Sequence, residues 1–293
     1  MRVGRQRAVR RGDGQVAASG STGSSLADTF GQGTFRIRCE WGLAGAERLL
    51  HTSLASDTVV VVVDVLRFST STSIAVSRGA VVYPYRWHAR DRALRDFAHQ
   101  QDAVPAVGRL EADRPDAPPG TVSLSPARLA QLPGLPARIV LPSPNGATIS
   151  AWCAEHTTQV YAGCLRNAGA LGSLLGRRLY DEPGLTVAVI AAGEQWPGGA
   201  LRPAVEDLWG AGAVIAATGL PRADLSYEAR AAADAFLNVR DDLPDSLPAC
   251  GSGIELTQRG FEDDVRYAAQ LDADRVAPRL IDGAFRAERL LSR

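Results

Sequence analysis

Lysine is absent from this chain of 293 residues; all 32 of its basic residues are arginine. That removes a Walker-type phosphate lysine, a Schiff-base lysine and lysine-attached cofactors together. The 32 arginines are balanced by 32 acids to a net charge of zero, which argues against a dedicated nucleic-acid binder. Cysteine is scarce. Cys39, Cys153, Cys164 and Cys250 show no CxxC spacing, so neither a disulfide framework nor a zinc knuckle is indicated, and a cytoplasmic setting is expected. The histidines, His51, His88, His99 and His156, show no metal-ligand spacing. A metal would therefore take carboxylates and water, which suits Mg²⁺ better than Zn²⁺. No stretch approaches the ~20 apolar residues that span a bilayer, and no apolar segment of a signal peptide follows the basic start. No membrane association is expected.

What the chain does have is alternation. Residues 1–33 are rich in Arg, then Gly, Ser and Ala, with no apolar period, and are expected to form a dispensable, disordered extension. From Thr34 onward, short apolar runs predict strands at Phe35–Cys39, Val59–Val63, Val81–Tyr85, Ala103–Val107, Ala137–Leu141, Gln159–Ala162 and Leu185–Ala192. Helical patterns lie between them, at Ser69–Arg78, Ala89–Gln100, Ala147–His156, Asn167–Leu179 and Pro203–Ala217. After Pro221 the pattern predicts only helices and loops. The expected architecture is one composite α/β domain over residues 34–293, a three-layer α/β/α fold with a largely parallel sheet and a helical C-terminal portion. Residues 108–136, which include the Pro/Gly-rich stretch Pro115 to Pro136, are a candidate flap or subdomain.

Candidate chemistry collects where strands should end, the place where open parallel sheets bind ligands. Five valines, Val59 to Val63, run into Asp64, Arg67 and the hydroxyl series Ser69 to Thr72 at the start of a helix. Asp64 suits a metal, while Arg67, Ser69 and Thr70 suit an anion at a helix N-terminus. A plainer reading has Asp64 and Arg67 cap the strand and pair with each other. In Pro142-Ser143-Pro144-Asn145-Gly146, Asn145 and Gly146 either form a turn or present an amide and backbone N–H to an anion. After the next strand, Arg166 is a solvated cation or a phosphate contact, and Asn167 a helix cap or a ligand. Glu194 closes a further strand as a candidate substrate contact. Glu206 and Asp207 follow Pro203, where helix dipoles favour acids, and are also candidate ligands for a hard cation.

These segments together resemble the 2-phosphosulfolactate phosphatases of coenzyme M biosynthesis. The resemblance runs from about Arg36 to Glu288 through VVVVDVLRFSTSTSIAVSRGA at Val60–Ala80, PNGAT at Pro144–Thr148 and CLRNA at Cys164–Ala168. It continues through AAGE at Ala191–Glu194, VEDLWGAGAVI at Val205–Ile215 and GFEDDVRYAAQLD at Gly260–Asp272. It implies an α/β/α fold and Mg²⁺-dependent hydrolysis of a phosphate ester on a small sulfonated hydroxy acid. The chain departs from the family pattern at Gly108-Arg109-Leu110, Leu124-Ser125-Pro126 and Ser143-Pro144-Asn145-Gly146.

The expectation is thus a phosphoric-monoester hydrolase acting on a small phosphorylated acid. Asp64 and Arg67 would be catalytic. Ser69, Thr70, Asn145, Gly146, Arg166, Asn167 and Glu194 would bind substrate, and Asp64, Glu206 and Asp207 would hold Mg²⁺. Asp64 is either the nucleophile or a metal ligand. Association into a homo-oligomer is compatible with this chain. The alternatives are a non-catalytic binding protein on the same scaffold, and a different hydrolase or isomerase using the Asp64 strand end.

Overall fold

The strand Thr58–Val63 is buried along its whole length, and its side chains divide strictly by parity. Val59, Val61 and Val63 belong to one apolar cluster, while Val60 and Val62 belong to another. A period of two with both faces apolar requires helices above and below. The computed structural model, which describes residues 30–51, 57–86, 92–112, 114–116, 121–157 and 159–288, supplies them. Helices Ala168–Asp181, Val205–Ala217 and Tyr227–Val239 cover the first face. Helices Gly42–Leu50, Phe68–Ser77 and Gly146–Ala154 cover the second. This is the expected three-layer α/β/α arrangement.

The strands in chain order are β1 (Ile37–Trp41), β2 (Thr58–Val63), β3 (Val81–Arg86), β4 (Val104–Pro105), β5 (Arg138–Ser143), β6 (Val160–Gly163), β7 (Thr186–Ala191), β8 (Glu194–Gln195), β9 (Leu201–Arg202), β10 (Ala277–Ile281) and β11 (Ala284–Glu288). Among the described residues, nine of them form one sheet in the order β1-β7-β2-β6-β10-β11-β3-β5-β4, and β8–β9 is a separate small hairpin. Strands β1, β7, β2 and β6 are mutually parallel, as are β3, β5 and β4. The antiparallel hairpin β10–β11 joins these two blocks through Arg279 opposite Tyr161 and Phe285 opposite Val82.

That hairpin corrects the expectation of no strand after Pro221. Pro278, Arg279, Arg286 and Glu288 interrupt the apolar run that marks a strand, although Ala277, Ala284 and Phe285 are fully buried. The available signal was Asp282-Gly283, whose φ angles of 50° and 76° suit a two-residue hairpin turn with both central residues left-handed. The candidate flap contains buried positions. Val122 and Leu129 are fully buried in the second apolar cluster, so these parts of the segment are built into the body of the molecule.

The expected boundary of the N-terminal extension also moves. Residues 1–29 lie outside the described residues, whereas Gly31 and Gln32 are buried. Gln32 is buried, its amide accepting from Cys39 N–H at 3.1 Å and donating to Cys39 O at 3.0 Å. The Gly31 carbonyl accepts from the buried Arg38 guanidinium at 3.3 Å. A chain beginning at Phe30 should melt like the full-length protein. One beginning at Thr34 should lose about 1–3 kcal/mol through the stranded partners of Gln32 and Gly31. Thermal denaturation of the two truncations checks this, and equal melting temperatures would contradict it.

Candidate active site

At the end of β2 the chain turns directly into helix Phe68–Ser77, and Asp64 is held at the turn from several sides. Its Oδ1 accepts the Phe68 N–H at 3.0 Å, and its Oδ2 accepts the Gly146 N–H at 2.9 Å and the Ser143 hydroxyl at 3.4 Å. Two helix N-termini, one following β2 and one following β5, therefore meet on one carboxylate. Asp64 is only 5% exposed. Burial raises its carboxyl above the ordinary range, against the pull of the two amides, Ser143 and the Arg67 charge. Gly146 permits this approach. A Cβ there would stand 2.5 Å from Phe68 Cδ1 and 2.7 Å from Asp64 Oδ2.

More carboxylates stand close by. Asp207, on the helix after β9, accepts the Val65 N–H at 2.7 Å and the Gly193 N–H at 2.8 Å, clamping the ends of β2 and β7 together. Burial, then repulsion from Asp64 and Glu206, push its carboxyl well up. Glu206 is buried beside it and accepts the Cys250 thiol at 3.5 Å. That thiol is itself pushed up to about 12, first by burial and then by Glu206, and stays protonated. Glu194 accepts the Asn145 side-chain amide at 2.9 Å. Burial and the Asp64 charge raise it to about 7, against Asn145 and Arg202.

Asp64 and Glu194 line a cavity of about 410 Å³, together with Arg67, Ser71, Ser143, Asn145 and residues of helix Gly251–Gln258. Arg67 does not pair with Asp64 in a direct ion pair. Its Nη1 lies 3.3 Å from Asp264 Oδ2, its guanidinium carbon is 5.4 Å from the Phe261 ring centre, and its side chain remains 25% exposed. Asp264, fully buried, also accepts the Ala127 N–H at 3.2 Å and the Ser125 hydroxyl. The sequence reading assigned Asp264 no role. It lies in the Gly260–Asp272 block, but nothing local in the sequence distinguishes it from its neighbour Asp263, which pairs with Arg266 on the surface.

Other expected contacts are spent inside the protein. Ser69 is fully buried and bonds Val62 O at 3.0 Å, while Thr70 bonds Val65 O at 2.7 Å. Asn167 closes its own turn, accepting from Cys164 N–H at 2.8 Å and donating to Ala162 O at 3.0 Å. Arg166 makes a buried bidentate pair with Asp274 at 2.9 and 2.8 Å and also donates to Tyr267 O and Gln270. None of these four lines the cavity.

A 2-phosphosulpholactate phosphatase family profile matches residues 46–283. The chain belongs to that family, a group of phosphoric-monoester hydrolases. It is also 27% identical over 229 residues to a probable 2-phosphosulfolactate phosphatase of Deinococcus radiodurans, covering 77% of this chain and 88% of that protein. Several departures from the family pattern fall on the cavity wall, namely Leu124, Ser143 and Pro144.

The donors suit a hard cation. Asp64, Glu194, Glu206 and Asp207 offer oxygen only; burial raises three of them, and the Asp64 charge adds to the rise of Glu194 and Asp207, which a bound cation relieves. Among the described residues, no three His, Cys, Asp or Glu side chains converge as a ready-made cage. Mg²⁺ typically takes one or two carboxylates, keeps several waters and uses substrate phosphate oxygens, so it fits this set. Two predictions follow from the packing and from the charge. Gly146→Ala forces Phe68 and Asp64 apart, and should cost about 1–3 kcal/mol of stability together with most of the activity. Denaturant titration and turnover on one sample check it.

The raised carboxyls of this phosphatase-family member mean that folding favours their protonated forms. Their contribution is complete below the unfolded pKa and is lost as pH rises, for Glu194 through about 7. Without divalent cations, the melting temperature should fall between about pH 5 and pH 8, and Glu194→Gln should flatten part of that fall. Melting curves in EDTA decide this; a melting temperature that rises over the range would contradict it.

Proposed function

We propose that the protein hydrolyses 2-phosphosulfolactate, or a closely related small 2-phospho acid, in a Mg²⁺-dependent reaction. The observation that carries this reading is Asp64. It is a cavity-lining carboxylate gripped by two helix-start amides, with the partly exposed guanidinium of Arg67 beside the same space. Such a floor suits a phosphoryl group and the charge that develops on it during transfer.

In the reaction an oxygen nucleophile bonds to phosphorus, the ester P–O bond breaks, and the departing alkoxide takes a proton. Arg67, anchored by Asp264 and Phe261, offers fixed positive charge to the phosphoryl oxygens. Glu194 lines the cavity with a carboxyl raised to about 7, suited to protonating the leaving alkoxide and taking a proton from water. Mg²⁺, when bound, would neutralise phosphoryl oxygens and help orient water. Asp64 would hold it from the cavity floor; Glu206 and Asp207 are buried and do not line that space, and Asp207 spends both oxygens on the Val65 and Gly193 amides. Both roles for Asp64, nucleophile and metal ligand, use the lone pairs that its amide contacts leave free. The position two residues on is Leu66, and the acid that lines the cavity beside Asp64 is Glu194.

The test is phosphate release from a panel of phosphorylated hydroxy acids, with and without EDTA, for the wild type and Asp64→Asn. EDTA-sensitive release by the wild type is expected. The variant should lose at least about a hundredfold in turnover. The variant should stay folded with a modest fall in melting temperature, because Asn keeps one acceptor for the two amides while Arg67 keeps Asp264. Tight binding of these acids without release would instead indicate a non-catalytic scaffold. A well-folded variant with normal turnover would remove Asp64 from the chemistry.

A further inference from the structure

Helix Gly251–Gln258 faces the cavity with an unusual stripe. Ser252, Glu255, Leu256 and Arg259, spaced i, i+3, i+4 and i+7, all line the cavity, and three of the four are polar. Ile254, on another side of the same helix, is 45% exposed. Packing alone would place the apolar residue inward and the charges outward.

This helix is also fixed in place. Cys250 caps it, its Sγ accepting the Gly253 N–H at 3.4 Å, while its thiol donates to the buried Glu206. Arg202 donates to the Ser252 hydroxyl at 3.1 Å. Gly253 lies so close to the preceding helix that a Cβ would stand 2.0 Å from Leu247 O. The stripe is therefore held by the same acid layer that surrounds Asp64.

Among the described residues, two guanidinium groups line the cavity, Arg67 and Arg259. Arg67 is committed to Asp264 at the phosphoryl end. Arg259 contacts Glu255 at 2.9 Å, in an i,i+4 pair whose side chains are 65% and 49% exposed. Such a solvated pair is weak, and a dianionic ligand displaces it readily. Asp64 and Glu194, which also line the cavity, repel an acid group, so a substrate carrying one must turn it away from them.

We propose that Arg259 is a specificity-determining residue that binds the second oxyanion of the substrate, a carboxylate or sulfonate near the phosphate ester. This rests on the phosphatase reading above and adds how the enzyme selects acids over neutral esters. The planar guanidinium can grip either oxyanion through two parallel hydrogen bonds.

The experiment compares three esters of one secondary-alcohol frame with Mg²⁺ supplied: isopropyl phosphate, 2-phospholactate and 1-sulfopropan-2-yl phosphate. Steady-state kinetics are measured for the wild type, Arg259→Gln and Glu255→Gln. Arg259→Gln should raise KM for at least one acidic ester about tenfold to a hundredfold, the scale of a lost charge-assisted hydrogen-bond pair. Its kcat on that ester, and its kinetics on the neutral ester, should stay within about twofold. The acid whose KM moves further identifies the preferred oxyanion. Glu255→Gln, which frees Arg259, should leave KM for that acid unchanged or lower it. Unchanged KM on both acids, or equal losses on all three esters, overturns the assignment of Arg259 while the phosphatase reading stands. No phosphate release by the wild type from any ester overturns both.

Discussion

A carboxylate removed from water must be repaid by hydrogen bonds or neutralised, and around Asp64 this requirement organises the neighbouring elements. The valine run of β2 carries the chain between two apolar layers and delivers Asp64 at their edge. The following helix supplies the Phe68 amide, and the helix after β5 supplies that of Gly146. Asp207 meets the same requirement in another way, by joining the backbone after β2 to the backbone after β7. Both acids are satisfied locally, yet Asp64 repels Asp207 and also Glu194. The layer is thus stable enough to form and remains unfavourably charged, a combination that suits binding a cation and a phosphoryl group.

The C-terminal third closes this arrangement. Helix Gly251–Gln258 walls the cavity, and Phe261 and Asp264 hold Arg67 at its side. Arg166 and Asp274, by contrast, form a buried pair that pins the Cys164–Asn167 turn to the segment preceding β10, with Ser73 bonded to the same Asp274 carboxylate at 2.8 Å. Two arginines in matching strand-end positions therefore serve different ends. One is left partly exposed at the cavity, and the other is enclosed by its partners.

The layers were legible because their signals are local. Apolar runs of five to eight residues predict most of the parallel strands, and their edges shift by only a few residues in the structure. Asp64, Arg67, Asn145 and Glu194, candidates read from strand ends, line one cavity, and the Gly146 N–H binds Asp64 at its edge. Burial was harder to read. Ser69, Thr70 and Asn167 look like ligand contacts in sequence, but helix starts also consume hydroxyls and amides in capping their own backbone. Asp264 and the Arg259 stripe lay beyond local reading, because their meaning comes from elements nearly two hundred residues away.

The central claim is that a phosphoryl group and its cation sit against Asp64. A crystal structure grown with Mg²⁺ and a phosphate-mimicking oxyanion such as tungstate tests it most directly. The account predicts anion density within hydrogen-bonding reach of Arg67, with a metal bound to Asp64. Density elsewhere, with the Asp64 cavity empty at saturating ligand, would contradict it.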